Sequence, residues 1–208
     1  MRPALACLMI ALAMPAMAGP WLREDGAGFL SFSAEITGGE TTAMGYADWG
    51  LGTGTTIALS GFAKPGDGAA DLSVIRALPL PSERSVASYS LVLKRASGAS
   101  PGLMAGLGLS WGRSLPGGWL AVDTRALASP DGRAVEAKLD VTWGQALRPG
   151  LDAMVQLHAS HDGDALSASL VPSAIVALRE GVRLNLGITQ GLTGQAETGV
   201  KMGLWLDF

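Results

Sequence analysis

Apolar and polar residues alternate with a period of two through almost all of the chain after residue 18, and short clusters of Gly, Pro, Asp and Ser interrupt the alternation at regular intervals. Residues two apart share one face of a strand, so such a chain folds as sheet with one apolar and one polar face. The pattern predicts twelve strands, over 28–37, 40–50, 53–64, 70–79, 86–96, 102–113, 118–128, 133–144, 150–160, 165–179, 182–191 and 196–208. In the sixth, Leu103, Ala105, Leu107, Leu109 and Trp111 alternate with Met104, Gly106, Gly108, Ser110 and Gly112. The eighth sets Val135, Ala137, Leu139, Val141 and Trp143 against Ala134, Glu136, Lys138, Asp140 and Thr142. The ninth sets Leu151, Ala153, Val155 and Leu157 against Asp152, Met154, Gln156, His158 and Ser160. In the tenth, Leu166, Ala168, Leu170, Pro172, Ala174, Val176 and Leu178 share a face, where Pro172 should weaken or bend the strand. In the fourth, Leu72, Val74 and Arg76 share a face, which leaves its orientation open.

The last strand ends on an aromatic residue. Thr198, Val200, Met202, Leu204, Leu206 and Phe208 alternate with Glu197, Gly199, Lys201, Gly203, Trp205 and Asp207. A polar residue at Lys201, a glycine at Gly203, and hydrophobic residues at Leu206 and Phe208 match the C-terminal targeting strand of bacterial outer-membrane β-barrels, which this segment closely resembles. The resemblance covers eight residues. It implies a Gram-negative outer-membrane location, contact with outer-membrane lipid, and recognition of the C-terminal strand by the barrel-assembly machinery.

The N-terminus carries a matching address. Arg2 supplies a positive charge, Ala4 to Met14 is apolar, and Ala16-Met17-Ala18 offers small residues for a signal peptidase. Residues 1–18 are therefore expected to be a signal peptide cleaved after Ala18, leaving 19–208 as a single domain. An uncleaved anchor is the alternative, but the apolar core is short for one. Ala4-Leu-Ala-Cys7 loosely resembles a lipoprotein processing site, yet only six residues precede the thiol. Cys7 is the only cysteine, so the mature chain offers no disulfide and no thiolate. Removing residues 1–18 takes away Arg2 and no acid, moving the formal charge from −3 to −4. Neither that balance nor any local basic run points to nucleic acid.

Without a long uncharged run after the leader, a membrane-inserted form of this chain must be a closed barrel, because unpaired backbone groups in lipid cost several kcal/mol each. The strands have about the length, roughly nine to eleven residues, that crosses a bilayer when tilted. A soluble periplasmic β-sandwich would alternate in the same way. Two features favour the barrel. Its polar faces mix charges with Gly, Ser and Ala, as a narrow lumen needs. Trp49, Trp111 and Trp143 each precede a Gly at the end of an even-numbered strand, which places them as a girdle at the periplasmic interface. The expected fold is thus an all-β, antiparallel, up-and-down transmembrane β-barrel of twelve strands, with ten or fourteen as alternatives, and with connections too short to fold inward as a plug.

Facing the polar side of each strand inward, the lumen receives Glu35, Asp48, Lys64, Lys94, Asp123, Arg125, Glu136, Lys138, Asp140, Asp152, His158, Arg183, Glu197, Lys201 and Asp207, joined by Arg76. The signs are interleaved. This suggests ion pairs that fill and stiffen the barrel, or a polar, porin-like conduit for small solutes; no ring of one sign marks a selective pore. No cofactor or metal cluster is expected. One catalytic alternative is His158-Ala159-Ser160, whose His-x-Ser spacing is shared with outer-membrane phospholipase A and lipid A deacylases. The resemblance would make His158 the base and Ser160 the nucleophile of a lipid acyl hydrolase. Against it, both residues have lumen parity, and the tenth strand offers only Ser167 and Ser169 where an orienting acid or Asn is needed. The favoured reading is a structural or passive-conduit barrel without enzymatic activity, its oligomeric state left open.

Overall fold

The computed structural model describes residues 19–98, 102–163, 165–193 and 197–208; the expected leader with Cys7, the residues at 99–101 and 194–196 and Asp164 lie outside them. Twelve strands follow in chain order: β1 (Gly28–Thr37), β2 (Glu40–Gly50), β3 (Thr55–Lys64), β4 (Asp67–Leu78), β5 (Ser85–Ser97), β6 (Gly102–Leu115), β7 (Gly118–Ala128), β8 (Val135–Arg148), β9 (Leu151–His161), β10 (Leu166–Arg179), β11 (Val182–Gly191) and β12 (Thr198–Asp207). Each pairs antiparallel with its chain neighbours, and β1 pairs with β12 to close a twelve-stranded barrel. Closure leaves no sheet edge. The even count puts the start of β1 and the end of β12 at the same end, called here the terminal end.

The turns follow from local chemistry. Thr37 pairs with Glu40 across Gly38-Gly39, whose φ angles of 58° and 85° form the left-handed two-residue turn that suits strand twist. Pro65-Gly66 makes a second two-residue turn, so Lys64 pairs with Asp67 and β4 begins three residues earlier than its hydrophobic pattern suggested. Pro172 faces outward. The β9 ladder runs through it, but the β11 ladder skips Val171 and Pro172, as a residue without an N–H requires.

The outward face is apolar around the ring, with Phe32, Ile36, Leu59, Leu91, Leu107, Leu109, Ile188, Val200 and Met202 all exposed. A band this continuous is covered by lipid rather than water. On β4, Leu72 and Val74 are exposed while Asp71 is buried inward. Arg76 shares the Leu72 parity and so faces outward, contrary to the expectation that it lines the lumen. Its place near the strand's terminal end lets the aliphatic stem lie on the apolar wall while the guanidinium reaches water.

Candidate functional site: the barrel lumen

The terminal end of the lumen is filled by chain that precedes β1. No inward-folding segment was expected from the short connections, yet residues 19–27 turn into the barrel. Trp21 packs with Trp119 and Ala121 of β7, Met154 of β9 and Ile175 of β10, with Val86 and Trp205 at the margin. The lumen is therefore partly apolar rather than polar throughout, and a second apolar cluster joins Val92, Met104 and Leu127.

Glycines make this filling sterically feasible, and they are the ones that follow the girdle tryptophans. A Cβ on Gly50 would lie 1.9 Å from the Glu24 carbonyl oxygen. On Gly112 it would lie 2.5 Å from Pro20 Cγ and 2.7 Å from the Trp21 ring. On Gly144 it would lie 2.2 Å from the Trp119 ring, which pairs with it in register across β7 and β8. Trp49, Trp111 and Trp143 point outward near the terminal ends of β2, β6 and β8, so each Trp-Gly pair sets an aromatic against lipid and opens space within. Arg23 anchors the segment further. Its Nε donates to Asp48 Oδ1 at 2.7 Å, its backbone N–H donates to Thr56 Oγ1 at 3.0 Å, and its guanidinium lies 4.9 Å from the centre of the Phe29 ring. The Tyr46 hydroxyl also donates to Asp48, at 3.0 Å.

Above this apolar floor, ion pairs cross the lumen. Arg125 on β7 reaches Asp71 on β4 at 3.2 Å and Glu136 on β8 at 3.4 Å. Lys94 on β5 bonds to the same Glu136. β4 and β7 are not neighbours, nor are β5 and β8, so these contacts are chords across the barrel over the inward Gly106 and Gly108 of β6. A second cluster joins Lys138 to Asp140 at 2.9 Å and His158 Nδ1 to Asp140 at 2.6 Å. Tyr46, Asp123, Arg125, Lys138, Asp140 and His158 border the remaining cavity of about 340 Å³.

The other expected lumen residues are distributed along the wall. Glu35 accepts from the Thr37 hydroxyl and faces Lys201 across the β1–β12 seam. Arg183 bonds to Asp207 on the adjacent strand. Asp152 sits on β9 in register with Ile175. Lys64 pairs with Asp67 at the rim opposite the termini. Glu197 is exposed at that same rim, its carboxylate against Gly38.

His158 and Ser160 both lie on the lumen side of β9, and no hydrogen bond joins them among the described residues. Ser160 faces Ser167 on β10 and Lys138 on β8. The acid sought on β10 is present on the other neighbour, β8, as Asp140. The preceding segment, the cross-lumen chords and the pairing of this acid with His158 were not legible in the sequence. The glycine after each girdle Trp was the available sign of the first.

No family model matches the chain, and no curated protein does. Solved structures do. The chain is similar to the NanC porin (TM-score 0.72, 8% identity, covering 86% of this chain and 100% of that one). It is similar to the KdgM porin (TM-score 0.65, 7% identity, 86% and 99%) and to an outer membrane channel from Pseudomonas putida F1 (TM-score 0.55, 8% identity, 91% and 97%). At these identities the likeness is one of architecture, and the chain has the β-barrel fold of outer-membrane porins and channels.

Proposed function

We propose that the protein is exported, loses residues 1–18, and inserts into the bacterial outer membrane as a narrow passive conduit for small polar solutes. The observation that carries this reading is a closed barrel, apolar outside, whose lumen keeps a cavity of about 340 Å³ bordered by charges of both signs. Charge pairing across the bore leaves no ring of one sign, which favours solutes with little net charge. The KdgM porin has been solved in complex with disordered oligogalacturonate; the mixed-sign lumen here argues against a comparable acidic polymer. Insertion would use the C-terminal strand, with Lys201 and Gly203 on the lumen side and Leu206 and Phe208 toward lipid, as the signal for the assembly machinery. The terminal end then faces the periplasm, with Trp49, Trp111 and Trp143 at its interface.

Purified protein in planar bilayers tests this directly. Small, weakly ion-selective conductance steps are expected, together with heat-modifiable migration and recovery in the outer-membrane fraction. A barrel that is silent and does not let small sugars swell liposomes is a structural element, not a conduit.

A second reading is a lipid acyl hydrolase with His158 as base and Ser160 as nucleophile. It is favoured by the Asp140 carboxylate, which lies 2.6 Å from His158 Nδ1 where an orienting acid belongs. The lumen orientation of both residues opposes it. If Ser160→Ala leaves acyl-ester release unchanged in outer-membrane vesicles, this reading is removed.

A further inference from the structure

We propose that cleavage between Ala18 and Gly19 creates the cation that Asp123 lacks: the new α-ammonium of Gly19 seats on Asp123 and locks residues 19–23 in the lumen as a plug. The inference rests on the leader removal proposed above and adds what the cut does. Asp123 lies mid-strand on β7 and faces inward, opposite Ser110 on β6 and Asp140 on β8. The nearby cations are committed elsewhere. Lys138 and His158 contact Asp140, and Arg125 contacts Asp71 and Glu136. Asp123 makes no ion pair among the described residues, and a carboxylate confined in a lumen is costly without one.

Gly19 supplies the missing position. A Cβ built there would lie 2.9 Å from Asp123 Oδ2 and 3.0 Å from Oδ1, so the carboxylate rests against the Gly19 Cα, one bond from its nitrogen. A side chain at this position would press on the carboxylate and push it away from the nitrogen. Gly19 borders the central cavity, beyond which the Asp71–Arg125 and Lys94–Glu136 chords cross the bore. Before the cut the Gly19 nitrogen is an uncharged amide and offers Asp123 no cation. The ion pair therefore follows cleavage. Trp21 in its apolar cluster and Arg23 on Asp48 then hold the plug from the other side. The same cut that releases the leader finishes the lumen wall and narrows the periplasmic end of the conduit.

Reductive methylation of the folded protein in detergent, read by mass spectrometry of the N-terminal peptide, tests this. The peptide should begin at Gly19, and its α-amine should react about tenfold more slowly in folded than in urea-unfolded protein, because an ammonium paired with Asp123 is less often the free amine that reacts. In Asp123→Asn, still heat-modifiable, that protection should disappear. Should Asp123→Asn fail to fold, Asp123→Ser decides in the same way: without the carboxylate the amine should become as reactive as in unfolded protein. A start at another residue overturns the leader reading and this one together. A Gly19 start with an amine that reacts equally fast folded and unfolded, or stays protected in Asp123→Asn or Asp123→Ser, overturns this one alone. Absence of conductance bears only on the conduit.

Discussion

Phe208 closes the barrel on Gly28. Gly28 N–H donates to the Phe208 carbonyl at 2.7 Å, and Phe208 N–H donates back to the Gly28 carbonyl at 3.0 Å. The phenyl ring fills the space a side chain would need, since a Cβ on Gly28 would lie 2.6 Å from it. The ring also packs on Trp49 at 5.6 Å between centroids. Phe208→Ala should keep the backbone pair and lose only the aromatic packing, about 0.5–1.5 kcal/mol. Urea unfolding of the refolded variant in lipid should show that small loss. If the side chain is also the assembly signal, the variant's outer-membrane yield in cells should fall much further than its stability does.

Gly144 and Trp119 have a similar relationship inside the barrel, but with less room to yield. Trp119 is buried and touches the plug's Trp21 through one cluster. In Gly144→Ala the new methyl meets the indole at 2.2–2.4 Å, so the ring must move and carry the cluster with it. The expected cost is about 1–3 kcal/mol. The urea midpoint should drop, and tryptophan emission should shift to longer wavelength as Trp21 loses its apolar packing. An unchanged emission spectrum would mean the indole and the plug are not coupled.

The outward half of this molecule was legible because lipid makes the same demand at every second residue. β6 shows the point: Leu103 through Trp111 read as one wall, and the inward glycines at 106, 108 and 112 read as a lumen needing space. Arg76 was misplaced because Leu72 and Val74 gave the fourth strand an apolar face that ended in a charge, and only depth distinguishes a rim position from a lumen position. The plug escaped notice for a different reason. Gly19-Pro-Trp-Leu-Arg23 has no period, so alternation passes over it, and its docking site is spread over Gly50, Gly112 and the Trp119 ring that Gly144 accommodates. Asp140 was legible as a lumen residue but not as the partner of His158, because alternation does not give the register of β8 on β9. The chords Asp71–Arg125 and Lys94–Glu136 join strands that are never adjacent, so neither pairing order nor alternation exposes them.

One connection outside the barrel wall carries a pH dependence. The Ser129 hydroxyl and then the Arg133 backbone N–H donate to Asp131, at 2.6 and 3.2 Å, and hold its carboxyl below the usual carboxylate range. A group depressed on folding helps the folded form above its unfolded titration range, and the help is lost as pH falls through the lower folded value. Asp131 should therefore titrate at lower pH in the barrel than in a peptide of the same loop, by NMR of its side-chain carbons. Ser129→Ala should move it back up, with a small loss of barrel stability at neutral pH that vanishes as pH falls below the titration range.

Glu136 is the shared acceptor of the lumen, taking both Lys94 and Arg125. Glu136→Gln removes one negative charge and leaves Lys94 without an ion-pair partner among the described residues, whereas Arg125 keeps Asp71. The side chains are 10–22% exposed, so solvent softens the penalty, and a loss of about 1–3 kcal/mol is expected rather than the larger value for a sealed interior. Lys94→Met combined with Glu136→Met removes both charges and should recover much of that stability, because neither ion then needs solvating. The two variants should also differ in transport. Glu136→Gln leaves an excess positive charge in the bore and should shift the reversal potential toward anions, while the double variant should not. If the single and double variants lose the same stability in urea, the Lys94–Glu136 chord contributes shape to the lumen and not charge pairing.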